Sequence, residues 1–393
     1  MTKEEIKSKF SELKNTVVLI YLHDKYVYTI ADSKNTFEIV SDGIKYTRFY
    51  FIDRPNITII PYDEIIKVCA KSENKETVVT FGSDPELFFV RDGVMIPSTA
   101  VIERETDNVA RDGFQLELHP RSNTCRQSAA SYIKDAITSA KYMADKAGAK
   151  ISFDVAHVVS DDVWKSSPKE LKRFGCNPTE NVYEKNQKRV TGMREKFRAG
   201  GGHIHIGSLN EREKNDLGTI VQLMDIVAGN TLVLLDRDPA NITRRKNYGR
   251  AGEYRPKPYG VEYRVPSNFW LKHYVLWSLA SGLVRNAVIL YRNGRAKELI
   301  ELFNMSDIRK AINNNDYDLA KKNFDKYAKY LKDNEIIFTS GISMHNVDNF
   351  YRWLANKKPL SKLGRLTDQT IYNHWMNLYA SGADGFEGFI SKQ

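Results

Sequence analysis

The chain has 393 residues, enough for two or three domains and for a core that needs no covalent staples. With 41% apolar and 27% charged residues it is not a disordered chain, and three cysteines, Cys69, Cys125 and Cys176, far apart and odd in number, exclude a disulfide framework and point to a reducing cytoplasm. The N-terminus lacks the form of a signal peptide, and no apolar run approaches the ~20 residues that span a bilayer. The net charge of +10 can serve nucleic acid, a membrane surface or phosphate-bearing ligands, and much of the excess lysine is scattered as on a solvated surface.

Residues 1–78 are expected to form a small α+β domain. A charged helix over Lys3–Leu13 precedes β-rich runs at Val17–Leu22, Tyr26–Ile30, Thr36–Ile39, Tyr46–Ile52 and Ile57–Ile60. Asp32-Ser33 and Asp42-Gly43 are turn signals, and the polar stretch 71–77 is a linker. Residues 79–292 mix strands and helices. Strands are expected at Val78–Val90, Phe114–Leu118, Ser152–Val158, His203–Ile206 and Val261–Val265. Helices are expected at Ser128–Ala147, Glu213–Val233 and Phe269–Arg292, the first capped by Asn123 or Thr124 and stopped by Gly148. Residues 293–393 are helical and charged, with helices at Ala296–Phe303, Ser306–Asn313, Leu319–Lys332 and Ile371–Tyr379.

Four segments of the middle region carry ligand-type side chains two residues apart. Such pairs share one face of a strand and reach one cavity. In Gly82-Ser83-Asp84-Pro85-Glu86 the two carboxylates are the oxygen donors that hard cations prefer, although an acidic pair at a strand start is more often a solvated edge. In Asp112-Gly113-Phe114-Gln115-Leu116-Glu117-Leu118-His119, polar and apolar residues alternate, as in any half-buried strand, and Glu117 matters only where that polar face lines a cleft. In Gly200-Gly201-Gly202-His203-Ile204-His205-Ile206-Gly207, two same-face histidines sit in a glycine run that lets backbone approach a ligand or a neighbouring chain. Histidine there can hold a metal or donate to phosphate.

The fourth segment is basic. Arg237, Arg244, Arg245, Lys246, Arg250, Arg255, Lys257 and Arg264 fill eight of 28 positions, about twice the chain's density of 59 in 393. Arginine forks match phosphate oxygens. A nucleic-acid patch or a solvated loop would look similar, but Glu262 sits beside Arg264 on one strand face, and a metal–phosphate site uses both signs together.

In this order the segments resemble the carboxylate–amine ligase superfamily of glutamine synthetase and glutamate–cysteine ligase, and more closely the phage-type carboxylate–amine ligases. The carrying residues are Gly82–Glu86, Asp112–Glu117, Phe174-Gly175-Cys176-Asn177-Pro178, Gly201–His205 and Tyr248–Arg255 through Tyr263-Arg264, so the resemblance spans roughly residues 79–275. It implies an α+β fold with a glutamine synthetase-like catalytic core: a curved, mainly antiparallel sheet backed by helices. It also implies ATP with Mg²⁺ or Mn²⁺, cytoplasmic action on small-molecule or peptide carboxylates and amines, no need for nucleic acid, and room for homo-oligomerisation. By the same resemblance Asp84, Glu86, Glu117, His203 and Glu262 are metal ligands. His205, Arg250, Arg255, Lys257 and Arg264 contact the nucleotide, and Arg250, Arg255 and Arg264 clamp the transferring phosphoryl group. Asp84 stands where many relatives have glutamate. A carboxylate is a poor electrophile; ATP would convert it to an acyl phosphate that an amine displaces, with Glu253 or His205 as the proton acceptor. A metal-dependent hydrolase, a guanidino-type kinase and a basic nucleic-acid-binding protein are the alternatives.

Overall fold

The computed structural model describes residues 1–13, 17–21, 26–30, 36–41, 44–50, 57–61, 65, 67–70, 79–124, 126–172, 179–184, 196–334 and 366–376. The expected turns at Asp32-Ser33 and Asp42-Gly43, the linker 71–77, Cys125 and the segment Phe174–Pro178 with Cys176 lie outside them. The described residues divide into two compact units, one within residues 1–70 and one within residues 79–376.

In the first unit, α1 (Lys3–Glu12) starts on a capping box: Thr2 Oγ1 accepts from Glu5 N at 3.2 Å and the Glu5 carboxylate accepts from Thr2 N at 2.7 Å. Strands β1 (Val17–Tyr21), β2 (Tyr26–Ile30), β3 (Thr36–Ser41), β4 (Ile44–Tyr50), β5 (Ile57–Pro61) and β6 (Lys67–Ala70) pair antiparallel in the orders β2-β1-β6 and β3-β4-β5. Ile6 and Phe10 of the helix are buried with Val18, Ile20, Ile65 and Val68, a cluster that the helical and two-residue periods dictate.

The second unit is an α+β assembly. It begins with β7 (Thr80–Ser83), β8 (Glu86–Arg91), β9 (Val94–Ile96), β10 (Val109–Asp112), β11 (Gln115–Leu118), α2 (Arg126–Lys146), β12 (Lys150–Ser152), β13 (Ala156–Val158) and α3 (Asp161–Ser166). It continues through β14 (Glu180–Asn181), β15 (Phe197–Ala199), β16 (Ile204–Gly207), α4 (Glu211–Asn215), α5 (Leu217–Met224), a π-helical turn (Asp225–Gly229), α6 (Asn230–Val233), α7 (Ala240–Asn247), β17 (Glu253–Lys257) and β18 (Gly260–Tyr263). A 3₁₀ turn (Asn268–Lys272) then leads into α8 (Tyr274–Arg292), α9 (Ala296–Leu302), α10 (Met305–Asn313) and α11 (Tyr317–Asp333), and α12 (Asp368–Met376) is the last described element.

Two antiparallel sheets, β14-β17-β18-β16-β7 and β10-β11-β8-β12, meet where the chain passes from β7 to β8. The expected single strand Val78–Val90 is divided there because Pro85 has no N–H for a ladder. The sheets stay in contact through Glu86 N, which donates to Gly201 O at 2.8 Å, and Asn268 Nδ2, which donates to Glu86 O at 2.9 Å. Phe81, Ile204, Ile206, Val261 and Tyr263 form the apolar face of the β7–β16–β18 sheet, and α5 and α8 pack behind it. Helices α10 and α11 pack on α6, where Asn230 Nδ2 donates to Ala320 O at 2.9 Å. Trp375 of α12 is buried and donates to Leu271 O at 2.5 Å, which docks that helix on the 3₁₀ turn.

The helices also differ from expectation, for identifiable reasons. The helix expected over Glu213–Val233 breaks at Asp216 and again at the π turn, where Asp225 turns its carboxylate to two tyrosine hydroxyls. The helix expected over Phe269–Arg292 starts as a 3₁₀ turn and restarts after His273. Helix α7 is absent from the sequence reading because its buried face carries Arg244 and Arg245, which a hydrophobic period does not count. Arg244 donates to three consecutive carbonyls, Arg264 O at 3.1 Å, Val265 O at 2.9 Å and Pro266 O at 2.9 Å, so this part of the basic run is a backbone clamp.

The glycine run before β16 exists for close packing. A Cβ on Gly202 would overlap the Ser267 carbonyl oxygen and the Trp270 indole nitrogen, whereas one on Gly218 in α5 meets nothing within 4 Å. Gly202→Ala is expected to destabilise the protein by about 1–3 kcal/mol through overpacking. Gly218→Ala is expected to stabilise it by about 0.5 kcal/mol. Urea unfolding midpoints check both, and effects of the same sign contradict the packing described.

Candidate active site

Strand alternation and register place the site. His205, Glu262 and Arg255 lie directly opposite one another on β16, β18 and β17, and Gly82 of β7 faces His205 from the other side. The next same-face positions along these strands are Asp84, His203, Arg264 and Glu253. Two rows of polar side chains therefore cross the sheet face away from α5 and α8.

Glu262 is fully buried and is the centre of the cluster. Its Oε1 pairs with Arg264 Nη1 and accepts from Arg255 Nη1 at 3.0 Å; its Oε2 accepts from Arg255 Nη1 at 2.9 Å and lies 2.9 Å from Lys257 Nζ. Arg264 is fully buried, but Arg255 and Lys257 keep 19% and 26% exposure, so these two cations alone of the three reach the mouth. Asp84 Oδ1 lies 3.1 Å from His203 Nδ1 and 3.2 Å from His205 Nε2, and His203 Nδ1 lies 3.6 Å from Glu262 Oε1. Tyr259, in the turn between β17 and β18, places its hydroxyl 3.0 Å from His205 Nδ1.

The electrostatics follow from this packing. Burial pushes the Asp84 carboxyl up, but the charges of His205 and His203 prevail and hold it well below the usual carboxylate range. Burial works against a charged His205, and Asp84 and then Glu262 overcome it and raise its pKa. Glu262 is held low in the same way: burial raises it, and the charges of His203, Arg264 and His205 outweigh that and the repulsion from Asp84. The cluster is thus an ionic lattice of two carboxylates, two imidazoles and three basic side chains.

One ligand atom from each of Asp84, His205 and Glu262 fits within a 4.8 Å span, the separation that a shared cation closes. The Nε2 atoms of His203 and His205 are buried without hydrogen-bond partners, since the approach of His205 to Asp84 has ion-pair distance but no hydrogen-bond alignment. A buried imidazole nitrogen in that state, beside two carboxylates, fits a divalent cation with mixed oxygen and nitrogen donors such as Mn²⁺, or Mg²⁺.

Of the expected residues, Asp84, His203, His205, Arg255, Lys257, Glu262 and Arg264 come together here. Glu86 is divided from Asp84 by Pro85. Its Oε2 accepts from Gln115 Nε2 at 2.8 Å, Gly201 N at 2.8 Å and Tyr248 OH at 2.9 Å, a structural set of contacts joining the two sheets. Glu117 lies opposite Glu86 on β11 and pairs with His119 at 3.0 Å. Arg250 pairs with Glu253 at 2.8 Å and Glu184 at 3.2 Å, away from Glu262. Glu253 is buried and also accepts from Gly249 N at 2.6 Å, so each of its oxygens already accepts a hydrogen bond. In the sequence Tyr248 has a place in the motif run and Tyr259 a place among its glycines and arginines, but neither is assigned a role in the site.

Residues 169–358 match the family model described as phage phiEco32-like COOH.NH2 ligase-type 2. Over this stretch the chain is similar to phage-type carboxylate–amine ligases. The ligase match supports an enzyme that joins a carboxylate to an amine. It contains His203, His205, Arg250, Arg255, Lys257, Glu262 and Arg264 and begins after Asp84, Glu86 and Glu117. It also extends through α8–α11, beyond the span of the resemblance seen in the motifs. No match to a curated protein was found. Among the described residues no helix is long and apolar enough to cross a membrane.

Behind this polar face, Tyr263 of β18 and Tyr183 donate to Asp225 at 2.7 Å and 3.0 Å. Burial pushes the Asp225 carboxyl up to about 7, against those two donors and the charge of Arg309. A folded-state pKa raised from the ordinary 3.8 contributes stability that is full below pH about 4 and lost as pH rises through about 7. Asp225→Asn removes this titration. Its stability relative to the wild type is expected to rise between about pH 5 and pH 8 by a few kcal/mol, an order-of-magnitude figure. Denaturant titrations at each pH check it, and a difference that is flat with pH contradicts a raised Asp225 pKa.

Proposed function

We propose that this face binds ATP with a divalent cation and makes an amide bond through an acyl phosphate. The observation that carries the reading is Glu262, buried among Arg255, Lys257 and Arg264, with Asp84 and His205 within one cation's span of it. The curled antiparallel sheet, with this cluster on one face and helices on the other, supports a glutamine synthetase-like core for the second unit. A hydrolase built on histidine ligands has no use for the three cations. A nucleic-acid patch needs exposed cations, whereas Arg244, Arg245 and Arg264 of the basic run are buried.

Arg255 and Lys257, at the mouth, bind phosphate oxygens of ATP; Arg264 stays beneath, keeping Glu262 ionised. Asp84, His205 and Glu262, with His203 adjoining, would hold the cation, which would supply charge neutralisation for the phosphates. The substrate carboxylate oxygen attacks the γ-phosphorus, the bond to the bridging oxygen breaks, and ADP leaves. An uncharged amine then attacks the acyl carbon, phosphate leaves, and the nitrogen's surplus proton passes to solvent or a neighbouring base. Arg255, Lys257 and Arg264 neutralise Glu262, so a cation would share that carboxylate with them, and phosphate on Arg255 and Lys257 would favour cation binding, which makes nucleotide and metal binding cooperative in this reading.

The melting temperature of the whole chain is measured with ATP alone, Mg²⁺ alone and both, in wild type and Asp84→Asn. A ligand at about 100 times its dissociation constant adds about 2.7 kcal/mol. The expected shift needs both ligands and shrinks in Asp84→Asn, and ADP and free phosphate then accumulate only with a matched carboxylate and amine. No shift at millimolar ATP contradicts the nucleotide site, and a phosphorylated acceptor without amide identifies a kinase instead.

A further inference from the structure

His205 sits between two residues without side chains. Gly82 faces it across the β7–β16 ladder, and Gly207 is the next same-face position on its own strand. A Cβ on Gly207 would overlap Thr80 Oγ1 and stand 3.4 Å from Cδ2 of Tyr259. The Tyr259 ring lies against β16 at Gly207 and stacks on the His205 imidazole, with centroids 6.1 Å apart and planes 26° from parallel. Its hydroxyl meets His205 Nδ1 at 3.0 Å, and 44% of the residue stays exposed.

The turn that carries Tyr259 is held on both sides by the site itself. Lys257 and Gly260, which flank Pro258-Tyr259, are opposed in the β17–β18 ladder, and Lys257 is ion-paired to Glu262. Tyr259 is therefore fixed by the same strands that place Glu262 and Arg255.

We propose that Tyr259 is a positioning residue for the divalent cation: its hydroxyl oxygen holds the Nδ1 proton of His205, so that the Nε2 lone pair is aimed at the space shared with Asp84 and Glu262. A metal takes the lone pair of one imidazole nitrogen and leaves the ring proton on the other, which then needs an acceptor that fixes the ring's rotation. This inference rests on the metal site proposed above. Such outer contacts change metal affinity by about 10- to 100-fold when removed.

The test uses the full chain with Mn²⁺ and a non-hydrolysable ATP analogue, in wild type, Tyr259→Phe and Asp84→Asn. Two quantities are read: the dissociation constant of the Mn²⁺–nucleotide complex, and the ¹⁴N coupling of an imidazole to Mn²⁺ in pulsed electron paramagnetic resonance. Tyr259→Phe is expected to keep the ligand-free melting temperature, since the ring and its packing remain. It is expected to weaken Mn²⁺–nucleotide binding about 10-fold or more and to reduce the ¹⁴N coupling. Wild-type affinity and unchanged coupling in Tyr259→Phe, with binding weakened in Asp84→Asn, overturn the role of Tyr259 and leave the metal site standing. Absence of protein-bound Mn²⁺ in the wild type overturns the metal site and the role of Tyr259 with it.

Discussion

A carboxylate removed from water remains ionised only where cations and donors replace its hydration. Glu262 meets that condition through Arg255, Lys257 and Arg264, and most of the local architecture follows from keeping those four side chains in register. Arg255 and Lys257 come from β17, Glu262 from β18, and Arg264 from the residue just beyond it. A slip of one residue between these strands would turn each side chain to the opposite face. The back of the sheet resists such a slip: Tyr263, between Glu262 and Arg264, is anchored by Asp225, and Arg244 clamps the carbonyls of residues 264–266.

The same constraint explains why the cluster carries both signs. Three cations around one carboxylate leave a positive surplus that suits an anion at the mouth, where Arg255 and Lys257 are accessible. Two carboxylates and the histidines on the adjoining strand suit a cation. An ATP–metal complex, the ligand proposed for this face, carries charges of both signs. Buried ion pairs contribute little net stability once desolvation is counted, so a lattice of this size is better explained by ligand binding than by folding.

Much of this site was legible in the sequence, because alternation alone puts His203 with His205 and Glu262 with Arg264 on shared faces. Which strands stand side by side was not legible, since register depends on partners distant in the chain; the row from Gly82 to Arg255 appears only in the fold. Asp84 and Glu86 look equivalent in sequence, yet Pro85 sends one to the histidines and the other to Gln115, Gly201 and Tyr248. Arg244 and Arg245 inflated the apparent phosphate-binding run because a buried arginine and an exposed one read alike. Tyr259 had no role assigned from sequence because a turn residue has no periodic neighbour to mark its face. Short helices and strands of the second unit, such as α3 and β14, were equally invisible, being too brief to show a period.

The most direct test is crystallographic: the full chain with Mn²⁺ and a non-hydrolysable ATP analogue, with the manganese located by anomalous scattering. The predicted result is manganese between Asp84, His205 and Glu262, with the analogue's phosphates on Arg255 and Lys257. Manganese and nucleotide bound elsewhere, with the Glu262 ion pairs undisturbed, would contradict the assignment of this face as the catalytic site.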